Sequence, residues 1–446
     1  MADVDVRIQA DLVFTASSPE LKPGVVEVCG DRISHVGTAP TAARAAEELR
    51  APVMLPGLVN THCHTSQQLA RGLADDVDLL TWLHDRIWPY EASLTEEDSE
   101  VSALLCALEQ IRNGVTAVAD PGGQAVDGMA RGLELAGIRG VLGRSTMDGG
   151  DGLPDSMVES TSDCLAAQDE LAARWHGAAG GRLRMGYTLR TIFNCSDELI
   201  EATARRAEDL GTIVQMHVAE VREENEFALA TRGRTTVRHL DRLGVLNPRL
   251  LCAHVVWVDD DELELLADAG AKVSHNPAAA LRVLGFPRIC DMLDRGLTVG
   301  LGTDGAPANN RMSLIDELWL ATLLQKGLRH DPTALPARTA LGMATIDGAR
   351  SIGWEDEIGS IEPGKAADLV LVDPQTANMT PLHDPLSALV TSMKSENVLS
   401  VMCAGTWLMR DRRIVAFDEE GLLEEAQARA AAVAARARVQ PQAARP

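Results

Sequence analysis

Histidine residues close several of the apolar segments in this chain of 446 residues. The first such segment ends in the run Asn60-Thr61-His62-Cys63-His64. Because residues two apart on a β-strand point to the same side, His62 and His64 would face a common space and Cys63 would face away from it. Two imidazoles at this spacing can bind a divalent metal ion, and such an ion makes water a better nucleophile.

Other potential metal ligands close the later apolar segments. The fifth segment ends near His217, the sixth near His254 and the seventh at His275, while the eighth ends at Asp304. Any one of these histidines could instead be a core or surface residue, but their repeated position at segment ends favours a shared site. Imidazoles together with one carboxylate suit Zn²⁺ or a similar divalent ion such as Fe²⁺. The sequence therefore predicts one divalent metal ion, with Zn²⁺ as the first choice.

A carboxylate stands close to this predicted centre. Glu220 follows His217 by three positions, near enough to reach water at the metal without being a ligand. There it could act as a general acid or base that carries a proton to a nitrogen of the substrate. The alternative is that Glu220 is a solvated charge at the start of a helix. The fourth apolar segment (183–189) contains no lysine that could bridge two metals as a carbamate, so one metal is favoured over two.

The elements that would position these residues repeat along the chain. Eight apolar segments of strand character alternate with stretches of helical spacing between residues 53 and 355. The segments are 53–62, 115–120, 138–144, 183–189, 212–218, 249–255, 271–275 and 297–304. Buried strands alternating with helices predict a parallel sheet, and eight such units predict an α/β fold of the (β/α)₈ TIM-barrel class. Since active sites of such barrels lie at the carboxyl ends of the strands, the residues above would meet there.

Short strand-like segments at both ends of the chain predict a second, smaller domain. We expect a β-sandwich built from residues 1–55 and 359–420, with the barrel spanning 56–358 between them. The remainder, 421–446, has the composition of a C-terminal helix that frays into a tail.

The charge balance restricts the partners. Acidic residues outnumber basic ones by 65 to 41, which gives a formal net charge of −24. Such a surface repels phosphate backbones and anionic lipid, so nucleic acid and membranes are not expected as partners. The N-terminus shows no secretory signal pattern, and the eight cysteines form no CxxC pair, which predicts a cytoplasmic protein with reduced thiols. A small, neutral or weakly charged substrate fits this balance.

Five motifs, PGLVNTHCH, MHVAE, CAH, SHNP and LGTDGAPANN, together resemble the amidohydrolase superfamily in its mononuclear deaminase branch. The chain is most similar to S-adenosylhomocysteine/5′-methylthioadenosine deaminases, triazine hydrolases and guanine-type deaminases, and the likeness extends through residues 82–98 and 359–373. The resemblance implies a metal-dependent hydrolytic deaminase that acts on an amino-substituted nitrogen heterocycle and releases ammonia. It also implies a homo-oligomer, which is common among such proteins.

Carried over residue by residue, the resemblance implies these metal ligands: His62, His64, His217 and Asp304. It assigns acid and base roles beside the activated water to Glu220 and His254, and Asp304 would accept the proton of that water. His275 and Asn276 are expected to support the site from behind. The ammonia leaving group is favoured by Glu220 together with Asp304, because an amine must be protonated before it departs.

The resemblance indicates two different classes of substrate. Trp82 and Glu91 match residues that contact the ribose in adenosine-type deaminases, and Arg144 matches an arginine that binds the homocysteine carboxylate. Gln67 and Arg190 instead resemble residues of guanine and oxopurine deaminases, in which the glutamine amide reads the edge of the ring. We therefore expect a ring that is either adenosine-like, including S-adenosylhomocysteine, or guanine-like.

Three alternatives remain open on the sequence alone. The nearest is a chlorohydrolase or N-alkylaminohydrolase of s-triazines, since the same attack by water expels a different leaving group. A hydrolase of cyclic amides is less favoured because the fourth segment offers no lysine. A non-catalytic binding protein built on a barrel would be expected to have lost metal ligands, and this chain keeps all of them.

Overall fold

The computed structural model describes residues 4–18 and 20–441. Within these residues the chain forms seventeen strands and seventeen α-helical segments. The strands are β1 (Val4–Val13), β2 (Lys22–Cys29), β3 (Arg32–Gly37), β4 (Ala45–Pro56), β5 (Leu58–Asn60), β6 (Val115–Gly123), β7 (Arg139–Arg144), β8 (Leu183–Met185), β9 (Tyr187–Leu189), β10 (Val214–Val218), β11 (Leu250–His254), β12 (Lys272–His275), β13 (Thr298–Leu301), β14 (Leu369–Val372), β15 (Val398–Cys403), β16 (Thr406–Arg410) and β17 (Arg413–Ile414).

The helices lie mainly between the central strands. They are α1 (Leu79–Trp82), α2 (Trp88–Glu91), α3 (Glu96–Arg112), α4 (Val126–Ala136), α5 (Thr161–Trp175), α6 (Asp197–Leu210), α7 (Arg222–Arg232), α8 (Thr236–Arg242), α9 (Asp260–Asp268), α10 (Pro277–Ala279), α11 (Ile289–Asp294), α12 (Ala306–Asn309), α13 (Leu314–Arg329), α14 (Ala337–Met343), α15 (Ile346–Ser351), α16 (Pro385–Thr391) and α17 (Glu419–Ala437). A 3₁₀ helix covers Thr65–Ala70, and π-helical turns cover Leu83–Ile87 and Ala280–Leu284.

The central strands form two parallel sheets, one with the order β5-β6-β7-β8 and one with the order β9-β10-β11-β12-β13. Gly186 alone separates β8 from β9, and its amide donates a hydrogen bond to the carbonyl of Leu142 in β7. At the other margins, the amide of Thr61 beside β5 donates to the carbonyl of Leu301 in β13 at 2.9 Å. Seven of the eight predicted apolar segments coincide with one of these strands and the fourth with two, β8 and β9, so the predicted α/β architecture with parallel strands is confirmed.

Burial explains why these strands are almost wholly apolar. Every residue of β6, β10 and β11 is buried, as expected where both faces of a parallel sheet are covered by other parts of the protein. The helices begin and end at ordinary capping residues. The Ser196 side chain accepts from the Leu199 amide at the start of α6, and Gly211 ends that helix with a φ of 73°.

Strands from both ends of the chain lie in one further sheet, with the order β17-β16-β15-β14-β4-β1-β2-β3. A buried ion pair joins it to the central strands, because Arg139 at the start of β7 donates two hydrogen bonds to the Asp368 carboxylate, which precedes β14. That this sheet closes into a sandwich, and that domains end at residues 55, 358 and 420, stay predictions.

The C-terminal helix α17 begins at Glu419 and ends at Ala437. It buries Leu422, Ala426 and Val433 against the protein. The part of the predicted tail that spans 442–446 lies outside the described residues. In the described parts of the chain, no helix is long and apolar enough to cross a membrane.

Candidate metal centre and active site

Four imidazoles converge at the carboxyl ends of the parallel strands. His217 lies in β10 and His254 ends β11, while His62 and His64 follow β5. The ring centroid of His62 lies 5.0 Å from those of His64 and His217 and 5.2 Å from that of His254. All four side chains are buried. The structure therefore brings together the histidines that the sequence placed at separate strand ends.

The Asp304 carboxylate, which follows β13, completes this cluster. Its Oδ1 lies 3.6 Å from Nε2 of His62 and 3.7 Å from Nε2 of His64, and its Oδ2 lies 3.9 Å from Nε2 of His254. Ligand atoms about 2 Å from a shared ion, in tetrahedral directions, lie about 3.4 Å apart. The potential ligand atoms of His62, His64 and Asp304 lie within 4.8 Å of one another, and so do those of His62, His217 and His254.

The chemistry of these side chains fits a divalent cation. Nε2 of His62 and Nε2 of His254 are buried and have no hydrogen-bond partner in the described part of the chain. Burial lowers the pKa of His64 and of His217 well below the ordinary value, which leaves both rings neutral. Burial would raise the pKa of Asp304, but its interaction with His62 and the neighbouring imidazoles holds that pKa well below its ordinary value. Neutral imidazoles beside an ionised carboxylate are the donors that a metal such as zinc requires.

The partners of Nδ1 separate the roles of the histidines. The Nδ1 atom of His217 lies 2.9 Å from the carbonyl oxygen of Arg190, and that of His64 lies 3.5 Å from the carbonyl oxygen of Gly122. A carbonyl can only accept, so Nδ1 carries the proton in both rings and Nε2 presents its lone pair to the centre.

His254 has the opposite arrangement. Its Nδ1 lies 3.2 Å from the side-chain amide nitrogen of Asn276, which is a donor. In the neutral ring the proton therefore resides on Nε2, the atom that faces Glu220 and Asp304 at 3.6 and 3.9 Å. Burial lowers the pKa of His254 to about 3, so the ring remains neutral in water near pH 7. In this tautomer His254 presents a hydrogen-bond donor to Glu220 and Asp304.

Glu220 is buried at the same end of β10. Burial, together with the nearby carboxylates of Asp304 and Glu224, raises the pKa of Glu220 well above its ordinary value. The backbone amides of Ala219 and Glu220 both donate to the Glu224 carboxylate at 2.8 Å. Ala219 has a φ of 51°, a conformation that a non-glycine residue adopts only when its surroundings enforce it. Glu224 therefore holds the turn that directs Glu220 toward the cavity, where a carboxyl of raised pKa can deliver a proton.

A cavity opens directly above the cluster. Its polar floor contains His64, His217, Asp304 and Glu220, and Arg190 and Thr191 lie at one side. Its other walls are apolar and consist of Leu79, Trp82, Leu83, Ala279, Val283, Leu284 and Ala308. A concave site with apolar walls and a few convergent polar groups is typical of a binding site for a small molecule.

Four of the five predicted substrate-binding residues lie at this cavity or next to it. Trp82 is in its wall, and its indole N–H has no acceptor among the described residues. Gln67, in the 3₁₀ helix, donates from Nε2 to Oε1 of Glu91 at 2.7 Å, and Nη1 of Arg190 lies 3.6 Å from the same oxygen. One oxygen of Glu91 and the amide oxygen of Gln67 are buried without a partner in the described chain, so this cluster retains acceptors that a ligand could use.

Arg144 is the exception. Its guanidinium makes two hydrogen bonds to the Glu159 carboxylate, at 2.6 and 2.7 Å, and it does not line this cavity. The structure therefore does not bring Arg144 to the other predicted residues, and a role in binding substrate stays a prediction.

Two buried carboxylates that support the site were missed in the sequence. Glu224 stands next to the exposed Glu223, so its surroundings in the sequence look like a solvated acidic helix start. Glu317 accepts hydrogen bonds from the Ala278 amide and the Asn309 side chain, and so joins the loops that follow β12 and β13. Glu317 lies on the helix face that carries the buried apolar residues of α13, and this spacing could have indicated that it faces inward. Nothing in the sequence identifies its hydrogen-bond partners.

Comparisons with known proteins agree with this geometry. The model of the amidohydrolase family matches residues 53–408. The 5′-deoxyadenosine deaminase of Methanothermobacter thermautotrophicus is 37% identical over 414 residues, which cover 92% of this chain and 95% of that protein. The 5-methylthioadenosine/S-adenosylhomocysteine deaminase of Syntrophomonas wolfei is 37% identical over 377 residues, covering 84% and 85%. The crystal structure of an adenosine deaminase from Xanthomonas campestris with bound zinc superposes with a TM-score of 0.92 at 30% identity, covering 97% of this chain and 99% of that one.

Proposed function

This chain belongs to the amidohydrolase family, and from that membership we propose that it is a metal-dependent hydrolytic deaminase of adenosine-type nucleosides. The observation that carries the proposal is the meeting of the His/Asp cluster with a buried acid, Glu220, on the floor of one cavity. The named activities of relatives that share 37% of their residues with this chain favour an adenine ring over a guanine ring.

We propose that His62, His64, His217 and Asp304 hold one zinc ion. Zinc is supported by the neutral imidazoles and the ionised carboxylate, and by the zinc in the Xanthomonas campestris relative. When bound, the ion supplies a Lewis acid that lowers the pKa of water, so that water can act as a nucleophile near pH 7.

The side chains of Glu220, Asp304 and His254 would then donate and accept the protons of the reaction. Glu220, which retains its proton because it is buried, protonates the ring nitrogen next to the carbon that bears the amino group. The ionised Asp304 accepts one proton from the attacking water and gives it to the amino group, so that the carbon–nitrogen bond breaks and ammonia leaves. The remaining hydroxyl proton passes to Glu220 as the carbonyl forms, which restores the protonated acid. The Nε2–H of His254 donates to the oxygen that adds to the ring. Water and the nucleoside are thereby converted into an oxopurine nucleoside and ammonia.

The cluster of Gln67, Glu91 and Arg190 is the proposed contact region for the sugar and the outer edge of the ring. Its unpaired oxygens on Gln67 and Glu91 can accept hydrogen bonds from hydroxyl groups. Trp82, whose indole lies in the wall, would cover the apolar face of the nucleoside.

We also propose that the two parallel sheets belong to one closed barrel, which has eight strands when β8 and β9 are counted as a single interrupted strand. The hydrogen bond from Thr61 to Leu301 and the separation of β8 from β9 by Gly186 alone support closure. A closed barrel would place all eight strand ends, and hence all the residues above, around one opening.

The direct test is ammonia release by the purified, zinc-loaded protein. We expect one ammonia per nucleoside consumed from adenosine, 5′-deoxyadenosine or methylthioadenosine, and close to one zinc per chain by metal analysis. Guanine and a chlorotriazine belong in the same panel. Turnover of either of these, with none of the adenosines, would contradict the proposed substrate class, and an active preparation without metal would contradict the proposed centre.

A further inference from the structure

A second cavity of about 490 Å³ adjoins the one above the metal centre. The two cavities share Leu83 in their walls, and the loop that supplies Arg190 and Thr191 to the first supplies the next residues to the second. We call the second one the side cavity, and its principal lining residues are His84, Trp88, Asp148, Phe193, Phe227 and Arg232. Its volume lies in the range of about 300–1,000 Å³ that is usual for small-molecule sites.

Two aromatic pairs form the walls of the side cavity. The rings of His84 and Trp88 stack with centroids 4.9 Å apart, and those of Phe193 and Phe227 lie 5.1 Å apart. Trp88 is buried, and its indole N–H has no acceptor in the parts of the chain that are described. Aromatic surfaces favour apolar or planar groups, and a buried indole N–H can serve one acceptor atom of a ligand.

The charges around the side cavity oppose an anionic ligand. Asp148 and Asp151 both line it. Arg232 also lines it, but its guanidinium lies 3.4 Å from Asp197, a carboxylate that Arg242 also contacts, and donates to the carbonyl of Cys195, so its charge is partly compensated. A carboxylate placed here would approach two aspartates and, among these lining residues, a single arginine whose charge is partly compensated, which is costly.

From these observations we propose that the side cavity is a subsite for a neutral, apolar substituent on the sugar of the nucleoside, while the ring occupies the cavity above the metal centre. This inference rests on the proposed function. It selects among the substrates of the named relatives, because it favours alkylthio and other uncharged groups at the 5′ position over groups that carry a carboxylate.

The test compares nucleosides that differ only in this substituent, with the zinc-loaded full chain. The matched pair is 5′-butylthioadenosine and 5′-(3-carboxypropylthio)adenosine, whose side chains have equal length, with 5′-deoxyadenosine as the reference without a substituent. We expect kcat/KM for the butylthio compound to exceed that for the carboxylate compound at least tenfold. Equal values for all three would overturn the subsite while leaving the deaminase intact. Failure to release ammonia from any adenosine would overturn both.

Two variants assign the effect to the side cavity. Phe227→Ala should remove most of the gain from the butylthio group, so that kcat/KM for this compound falls about tenfold relative to kcat/KM for 5′-deoxyadenosine. Phe286→Ala, at an exposed phenylalanine that is not among the lining residues, is the control and should change neither. If both substitutions have the same effect, or if Phe227→Ala leaves the butylthio gain intact, the substituent lies elsewhere.

A separate variant reverses the charge of one aspartate at the side cavity. Asp151 is exposed at the rim, so Asp151→Lys should fold normally and raise kcat/KM for the carboxylate compound at least fivefold relative to the butylthio compound. Asp155→Lys makes the same charge change at an exposed position outside the lining and should leave the ratio unchanged. An equal rise in both variants would indicate a general effect of net charge and would refute a local one.

Discussion

Replacing Glu224 with glutamine exchanges one oxygen of a buried carboxylate for an amide nitrogen. The two oxygens of Glu224 accept from the backbone amides of Ala219 and Glu220, each at 2.8 Å. A glutamine keeps one acceptor and turns a donor toward the other amide, so one of the two hydrogen bonds must break. Burial raises the pKa of Glu224 to about 7, so its carboxylate is ionised above this pH, and the comparison is made there. Since hydrogen bonds to charged groups contribute about 1.5–3 kcal/mol each, the turn that carries Glu220 would lose roughly that much.

The loss of this hydrogen bond should lower the rate of the chemical step. If the whole energy is expressed as misplacement of Glu220 in the transition state, kcat falls by about 10- to 150-fold, since 1.36 kcal/mol corresponds to a factor of ten. Neither hydrogen bond of the Glu224 carboxylate involves a proposed metal ligand, so zinc content should remain near one per chain and KM should change little.

The assay is steady-state ammonia release with metal analysis and circular dichroism on the same samples. Glu223→Gln is the matched control, because Glu223 is exposed and carries the same charge at the neighbouring position. A Glu224→Gln protein that is folded and loaded with zinc, yet has a kcat within twofold of the unaltered protein, would refute the reasoning. A fall of equal size in Glu223→Gln would do so as well.

Three further outcomes follow from the same geometry. Glu220→Gln should keep its zinc but lose about 10²–10⁴-fold in kcat, because an amide cannot transfer the proton; steady-state rates and metal analysis measure this. His217→Ala removes one proposed ligand, so metal analysis should show less zinc per chain and calorimetry a lower Tm, since binding of the ion stabilises the folded state. Burial raises the pKa of Glu317 from an ordinary 4.5 to about 8. The folded protein then binds this proton more tightly than the unfolded chain does, so the free energy of unfolding should decrease as pH rises from about 5 to 8. Urea titrations should show a weaker decrease in Glu317→Gln.

Each of these outcomes has a clear opposite. Turnover near the normal rate in Glu220→Gln would remove the residue from the proton path. Full zinc occupancy in His217→Ala would place the ion elsewhere. For Glu317, identical slopes of unfolding free energy against pH in the two proteins would show that its carboxyl is ionised throughout.

The alternation of apolar segments was sufficient to predict the strands, because a strand covered on both faces must be apolar along its whole length. The sequence could not show that the fourth segment is divided at Gly186 into β8 and β9. That division depends on which neighbouring strand each half pairs with, and pairing is decided by distant residues such as Leu142 and Ile213. The extended β4, which runs to Pro56, likewise spans the predicted boundary at residue 55 because it pairs with β1 and β14.

Ion pairs between residues distant in the sequence explain why the roles of some charged residues could not be predicted. Arg144 ends a strand and so has the position of a ligand-binding residue, yet Glu159, fifteen residues later in the chain, neutralises it. Nothing in the local sequence distinguishes a guanidinium that meets a substrate from one that meets a carboxylate of a returning loop. Glu91 and Arg190 illustrate the converse, since they are 99 positions apart and yet their side chains lie 3.6 Å from each other beside the cavity.

The roles of the four imidazoles also could not be predicted from the sequence. Their rings are chemically identical, and only their hydrogen-bond partners decide which nitrogen carries the proton. The carbonyls of Gly122 and Arg190 fix the proton of His64 and His217 on Nδ1, which frees Nε2 to bind a metal. The amide of Asn276 fixes the proton of His254 on Nε2, so this ring can only donate in the same direction. These partners support the ligand set proposed for the ion, which takes His62, His64 and Asp304 from one group of potential ligands and His217 from the other. The Nε2–H of His254 then remains as a hydrogen-bond donor. A reaction that adds water to a ring requires such a donor, because negative charge develops on the oxygen of the added water.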